Sequence, residues 1–445
     1  MLVAPLSWFG IFRLGLVQTA LGSVVVLTTS TLNRIMVVEL ALPAMLPGLL
    51  VALHYWVQIL RPQMGHGSDR GGRRTPWVIG GIIVLALGGL LATLATVWMG
   101  SNLVAGILLA VVAFTAIGGG VGAAGTTLLV LLAKQTAPER RAAAATIVWV
   151  MMIMGIVVTA GVAGHFLDPY SPPRLVLVSA VIGGLAICLT LIAVHGVEVV
   201  QPPQTSVATP GQTSFRTALA EVWGEPLARR FAIFIFISML AYSAQDLILE
   251  PFAGAVFGLT PGESTQLAGL QHGGVLLGMV LVAVAVTGLR LGSLKAWTTG
   301  GCIASALTLA GLAFGGLIGP DWPLRLNVFL LGLTNGAYAV AAIGSMMGLV
   351  GTGHGKREGV RMGLWGAAQA IAFGLGGFLG TVAADLARLV WHEPAQAYGI
   401  VFIMGAALFV AAGTLAVRLQ SISTIGQPAG ITAQNHVMAG GTGDD

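Results

Sequence analysis

Long apolar stretches separated by short polar punctuation dominate this chain. Runs of roughly 20 residues, the length that crosses a bilayer, fall at 14–38, 43–63, 77–98, 102–133, 142–165 and 174–197. A stretch rich in Pro, Gln, Thr and Ser follows at 201–217, and further runs lie at 230–253, 264–288, 294–317, 325–351, 359–385 and 397–419. The pattern predicts an all-α integral membrane protein, with twelve transmembrane helices as two six-helix bundles. The expected divisions are an N-terminal bundle over 1–200, a cytoplasmic linker over 201–228, a C-terminal bundle over 229–420 and a small-residue, disordered tail over 421–445. Helix starts are marked by Thr75-Pro76, by Ser171-Pro172, and by two capping boxes, Thr136 with Glu139 and Thr260 with Glu263.

Composition agrees with the pattern. Of 445 residues, 56% are hydrophobic and 8% charged, against roughly 25% charged in soluble domains, and the mean hydropathy is +0.90. A net charge of +5 would suggest nucleic acid in a soluble chain, but here the cations are sided, which excludes that class. With both termini cytoplasmic, only Arg34, Arg174, Arg325 and Arg388 of the 21 Lys and Arg fall outside, as the positive-inside rule requires. Cys188 and Cys302 lie in apolar runs of different halves, so neither a disulfide framework nor a thiolate metal site is expected. The first run is longer than a cleavable leader and is expected to stay as a signal anchor. The halves echo one another: Arg140-Arg141 precedes Trp149 as Lys356-Arg357 precedes Trp365, which fits two parallel repeats.

Ionisable groups inside spans are costly and tend to face a cavity or a partner. The seventh run carries Ser238, Tyr242, Asp246 and Glu250 at successive i+4 positions, one stripe on one face. Asp246 and Glu250 read as cavity or proton-site residues; Glu250, beside Pro251, reads equally as a helix end in water. Arg34 in the first run can pair with Glu39, Asp246 or Glu250, or serve as a rim salt bridge. His54 and Gln58 share a face of the second run, and Gln271 and His272 open the eighth. Ala268 stands four residues before His272, as Gly161 does before His165. A small residue at that spacing leaves room above an imidazole for a flat macrocycle with a central Mg, although each histidine also reads as a packing residue bonded to a carbonyl.

The loop between the second and third runs is a compact basic island, Gly65-His-Gly-Ser-Asp69-Arg70-Gly-Gly72-Arg73-Arg74. It resembles the signature of the major facilitator superfamily, and so implies that fold. The resemblance further implies a cytoplasmic latch, with Asp69 near the start of the eleventh helix at 358–362 or near Arg140 and Arg141; a plain positive-inside loop is the other reading. More particular are Arg13 to Gln18, Thr31 to Glu39, Arg73 to Trp77 and Gln245 to Phe252. Together they resemble the PucC/LhaA family of bacteriochlorophyll-delivery proteins, closest to the shorter branch historically labelled a bacteriochlorophyll synthase subunit. That resemblance implies a multi-pass protein of the bacterial inner, photosynthetic intracytoplasmic membrane that works in light-harvesting complex formation. Its implied cargo is bacteriochlorophyll, and its implied partners are antenna polypeptides and bacteriochlorophyll synthase.

Two function classes remain: a non-enzymatic pigment carrier or assembly factor, and a proton-coupled small-solute transporter. An enzyme is not expected. Prenyl transfer needs clustered Asp to hold Mg and diphosphate, and no such cluster occurs, so no catalytic residue and no protein metal site is assigned.

Overall fold

Ser7 opens the first helix by accepting the Gly10 N–H on its hydroxyl, so the helix begins earlier than its apolar run suggests. The computed structural model describes residues 6–61, 64, 73–137, 140–198, 220, 223–350 and 358–425. Within them the helices are α1 (Trp8–Glu39), α2 (Met45–Leu60), α3 (Thr75–Met99), α4 (Leu103–Gln135), α5 (Arg141–Leu167) and α6 (Pro172–Val194). The second set is α7 (Pro226–Phe257), α8 (Pro261–Ala283, extended by a π turn Val284–Gly288), α9 (Leu294–Ile318), α10 (Leu324–Val350), α11 (Glu358–Val390) and α12 (Pro394–Ile425). Among the described residues there is no strand, and 11 helices are long and apolar enough to cross a membrane, with α2 a shorter apolar helix. This is a multi-pass membrane protein.

The packing repeats. In the first half α1 lies on α5 and α6, α3 on α4 and α6, and α2 on α4; in the second, α7 lies on α11 and α12, α9 on α10 and α12, and α8 on α10. The halves meet chiefly along α2–α11 and α5–α8, pairs that exchange when one half is laid on the other. Each half has its own apolar core, around Leu14, Phe114 and Leu128 in one and Phe252, Leu309 and Phe409 in the other. Leucines such as Leu108, Leu185, Leu307 and Leu389 stay exposed, as side chains facing lipid do. The echo of the tryptophans is partial: Trp365 is buried against Phe231 at 4.8 Å, whereas Trp149 faces outward.

Several local expectations change. Arg13 sits inside α1, where its guanidinium donates to the carbonyls of Ile192, Ala193 and His195, acceptors that the end of α6 leaves unpaired. The Thr260–Glu263 capping box is formed at α8. Thr136 instead ends α4, its N–H bonded to the Leu132 carbonyl, and α5 starts without a side-chain cap; Glu139 lies outside the described residues. Helix α12 runs on to Ile425, past the expected tail boundary. Most of the linker and the remainder of the tail lie outside the described residues.

Helices α8 and α10 touch backbone to backbone. A Cβ on Gly332 would stand 1.9 Å from the Gln271 carbonyl, and one on Gly278 2.1 Å from that of Leu333. Only glycine allows this approach, and it fixes the height and rotation at which Gln271 and His272 are presented.

Candidate functional site

The polar groups gather where α1, α7 and α8 meet, toward the face opposite the N-terminus, here called the far face. Two breaks in regular helix shape the place. Pro251 lies inside α7 and has no N–H, so the Leu247 carbonyl one turn earlier loses its helical donor. Asn33 of α1 supplies the missing donor, its amide nitrogen 2.5 Å from that carbonyl. Around Asn33, α1 widens into two π turns, Leu27–Thr31 and Ile35–Glu39, a deviation frequent at functional positions.

Next to Asn33, Arg34 is 3% exposed. It lies near the far end of α1, between the halves. It pairs with Glu39 and donates to the Leu259 carbonyl at 2.6 Å, while its guanidinium lies flat on Gly254, 3.0 Å from where a Cβ would be. Ser30 and Arg34 are the polar neighbours of Glu250, itself 3% exposed with Oε2 unbonded. Tyr170, in the loop between α5 and α6, is pushed above the ordinary tyrosine range, first by burial and then by the Glu39 carboxylate. Thr31 and Thr265 join α1 to α8 through hydroxyls 2.9 Å apart.

One turn below Glu250, Asp246 has Gln271 and His272 of α8 beside it. His272 donates from Nδ1 to the Ala268 carbonyl at 2.9 Å, so Nε2 is the nitrogen left to present a lone pair. Below Asp246 the seam turns aromatic: Phe373 of α11 stands 5.9 Å from Tyr55 of α2 and 5.8 Å from Tyr242 of α7.

Of the residues singled out in the sequence, Arg34, Glu39, Glu250, Asp246, Gln271 and His272 thus form one continuous chain of neighbours. Gln58, His54 and His165 stand apart from it. His54 is buried with Nδ1 on the Val51 carbonyl at 3.1 Å and Nε2 3.0 Å from Gln58, which in turn takes Arg61. His165 faces outward at the end of α5, 5.6 Å from the Phe166 ring. Gly65, Asp69, Arg70 and Gly72 lie outside the described residues. Arg73 is exposed beside Arg74, whose backbone N–H donates to Glu198 at the start of α3.

Two carboxylates matter that sequence reasoning passed over. Asp385 of α11 accepts the N–H groups of Ala44 and Met45 at the start of α2, at 2.9 and 2.7 Å. Asp168, just after α5, accepts from the Thr260 hydroxyl at the start of α8, at 2.9 Å. The available signal was an acid at the end of an otherwise apolar run.

Comparison with known proteins places this geometry in context. The family described as "PUCC protein" matches residues 31–423. The chain is 54% identical over 411 residues to the "Bacteriochlorophyll synthase 44.5 kDa chain" of Rhodobacter capsulatus, covering 92% of this chain and 95% of that one. It is 29% identical to "Protein PucC" of the same organism, covering 93% and 92%. Among solved structures it is similar to the peptide transporter POT (TM-score 0.69, 15% identity, 95% and 96% covered) and the nucleoside transporter NupG (0.67, 15%, 92% and 99%). At that identity the likeness concerns the fold, which is that of the major facilitator transporters.

Proposed function

The chain belongs to the PUCC protein family, and from that premise we propose that it is a non-enzymatic bacteriochlorophyll carrier or assembly factor for light-harvesting complexes. The pigment is its cargo, and His272 is the ligand for the pigment's central Mg. The observation that carries this reading is the state of the His272 ring: Nδ1 is tied to Ala268, Nε2 is left to act, and the ring is partly exposed beside Asp246 between the halves. His54 has both nitrogens engaged within its own helix, and His165 lies off the seam, so neither competes. Mg generally prefers oxygen, and a single imidazole therefore gives the weak, reversible capture that delivery needs. The name of the 54% identical relative mentions bacteriochlorophyll synthase and so supports the pigment as cargo; antenna polypeptides and bacteriochlorophyll synthase are the partners in this reading. The intracytoplasmic membrane, with both termini cytoplasmic, is the matching location.

In this reading Asp69 latches the cytoplasmic side against the start of α11 near 358–362, with Arg70, Arg73 and Arg74 around it, on the glycines Gly65 and Gly72. The charged series Arg34, Glu39, Glu250 and Asp246, in which Arg34 and Glu250 are buried, favours a second reading, a proton-coupled carrier of a small solute. One measurement separates them. Protein purified from phototrophically grown cells carries a bacteriochlorophyll absorption band that His272→Phe loses and His54→Phe keeps; a wild-type spectrum without pigment sinks the carrier reading and leaves the transporter. Asp246→Leu is expected to insert normally and lose function; full antenna assembly by that variant makes the acidic stripe structural.

A further inference from the structure

Between the end of α7 and the loop from α9 to α10, the far face of the second half holds a cavity of about 490 Å³. Its apolar walls include Phe257, Leu259, Trp322 and Leu324, and Arg325 and Glu263 are the charged side chains among them. The loop sequence builds this shape. Gly319 turns the chain at φ +81°, a conformation that glycine adopts without strain, and Pro320 and Pro323 fix the backbone on either side of Trp322. The Trp322 indole N–H donates to Asn327 Oδ1 at 3.1 Å, and Asn327 in turn donates to the Thr308 carbonyl at 2.9 Å. The ring also lies on Gly315, 2.3 Å from where a Cβ would be, so it is set in place before any ligand arrives. The repeat of the fold does not require this loop. Its equivalent between α3 and α4, Gly100-Ser101-Asn102, has neither proline nor aromatic residue.

Charge narrows what fits. Arg34 is taken by Glu39 and Leu259, Arg174 donates to the Pro169 carbonyl at 2.9 Å, and Arg388 to the Tyr398 hydroxyl at 2.7 Å. Arg325 differs from them: it is exposed and, among the described residues, makes no hydrogen bond or ion pair. Glu263 accepts the Thr260 N–H on Oε2 at 3.0 Å and leaves Oε1 unbonded. The two charges line one cavity without pairing, an arrangement that matches a ligand carrying both signs. Asp321, exposed in the same loop, adds a second carboxylate and weighs against a purely anionic group. Past the rim, Leu326 and Leu330 of α10 and Phe314 and Leu317 of α9 are exposed on the lipid-facing side, so the rest of the ligand is hydrocarbon.

We propose that this cavity is the headgroup site for one zwitterionic phospholipid bearing a primary amine. Arg325 takes the phosphate, as a guanidinium does with two parallel N–H donors. Glu263 takes the ammonium, which also lies against the Trp322 ring, whose face attracts cations. The acyl chains run along Leu326 and Leu330. The proposal is independent of the cargo carried between the halves.

Delipidated full-length protein in detergent, titrated with dioleoyl phosphatidylethanolamine or dioleoyl phosphatidylglycerol and read by native mass spectrometry, tests it. Wild type binds its first phosphatidylethanolamine about tenfold more tightly than phosphatidylglycerol, the ratio for one charge-assisted hydrogen bond. Arg325→Gln weakens phosphatidylethanolamine by about tenfold on the same grounds. Glu263→Gln keeps the capping box, which glutamine also forms, and removes the charge. It weakens phosphatidylethanolamine and spares phosphatidylglycerol, whereas a misfolded variant would lose both. Equal binding of the two lipids by wild type, or an unchanged preference in Glu263→Gln, overturns the proposal. Displacement of the lipid by an equal concentration of phosphoethanolamine also overturns it, by making the site one for a soluble solute. A dimer mass that Arg325→Gln abolishes does the same, by giving the surface to a second copy of the chain.

Discussion

Helices α1 and α7 hold equivalent positions in the two halves, each packed on the fifth and sixth helix of its own bundle, yet each departs from regular helix in its own way. Helix α1 is widened by two π turns and carries the donors Asn33 and Arg34; α7 is interrupted by Pro251 and carries the acids Asp246 and Glu250. The irregularities are complementary, since the proline in one frees a carbonyl that the asparagine of the other fills. Two copies of one scaffold have thereby become a donor helix and an acceptor helix, and the polar seam exists only where they face each other.

The sharpest break in this complementarity is loss of Arg34. Arg34→Leu leaves Glu39 and the buried Glu250 without their shared cation and is expected to cost about 3 kcal/mol, the lower end of the range for breaking a buried ion pair, because Glu39 is itself exposed. Thermal unfolding in detergent reads it, and an unchanged midpoint would mean that the charge is not needed to hold the seam. Asn33→Ala comes next, at about 1–3 kcal/mol for the orphaned Leu247 carbonyl. Its cost should largely vanish in a Pro251→Ala background, where the helix supplies its own N–H; additive losses in that double-mutant cycle would contradict the proposed repair. Smallest is Thr265→Val, which removes the hydroxyl contact with Thr31 and is expected to cost about 1 kcal/mol. Thr31→Val combined with it should add little, because both changes delete the same bond.

What could be read from the chain before folding follows from distance along it. Apolar runs long enough to span a bilayer, and the i+4 stripe on α7, are local patterns, so the helices and the Asp246–Glu250 pair were legible in advance. The Thr260–Glu263 box was equally local and formed. Thr136 misled, because the same residues close α4 as readily as they would open α5. The π turns were invisible, since their residues suit ordinary helix and only the neighbouring α7 gives the widening a purpose. Asp385 escaped notice because its meaning depends on the start of α2, far away in sequence. For the histidines, the sequence marked which ones lie in the membrane, but the carbonyls of Val51 and Ala268 decide which nitrogen each has left.

Arg13 carries a consequence for the order of synthesis. Its partners, the carbonyls of Ile192, Ala193 and His195, are the last part of the first bundle to leave the ribosome. A nascent chain that has just cleared them contains everything needed to tie its first helix to its sixth, and domains tend to be completed as units during synthesis. Arg34 at that moment has Glu39 but neither Leu259 nor Glu250. The first bundle can therefore be closed at the end near its origin while its opposite end still waits for the second bundle to be made.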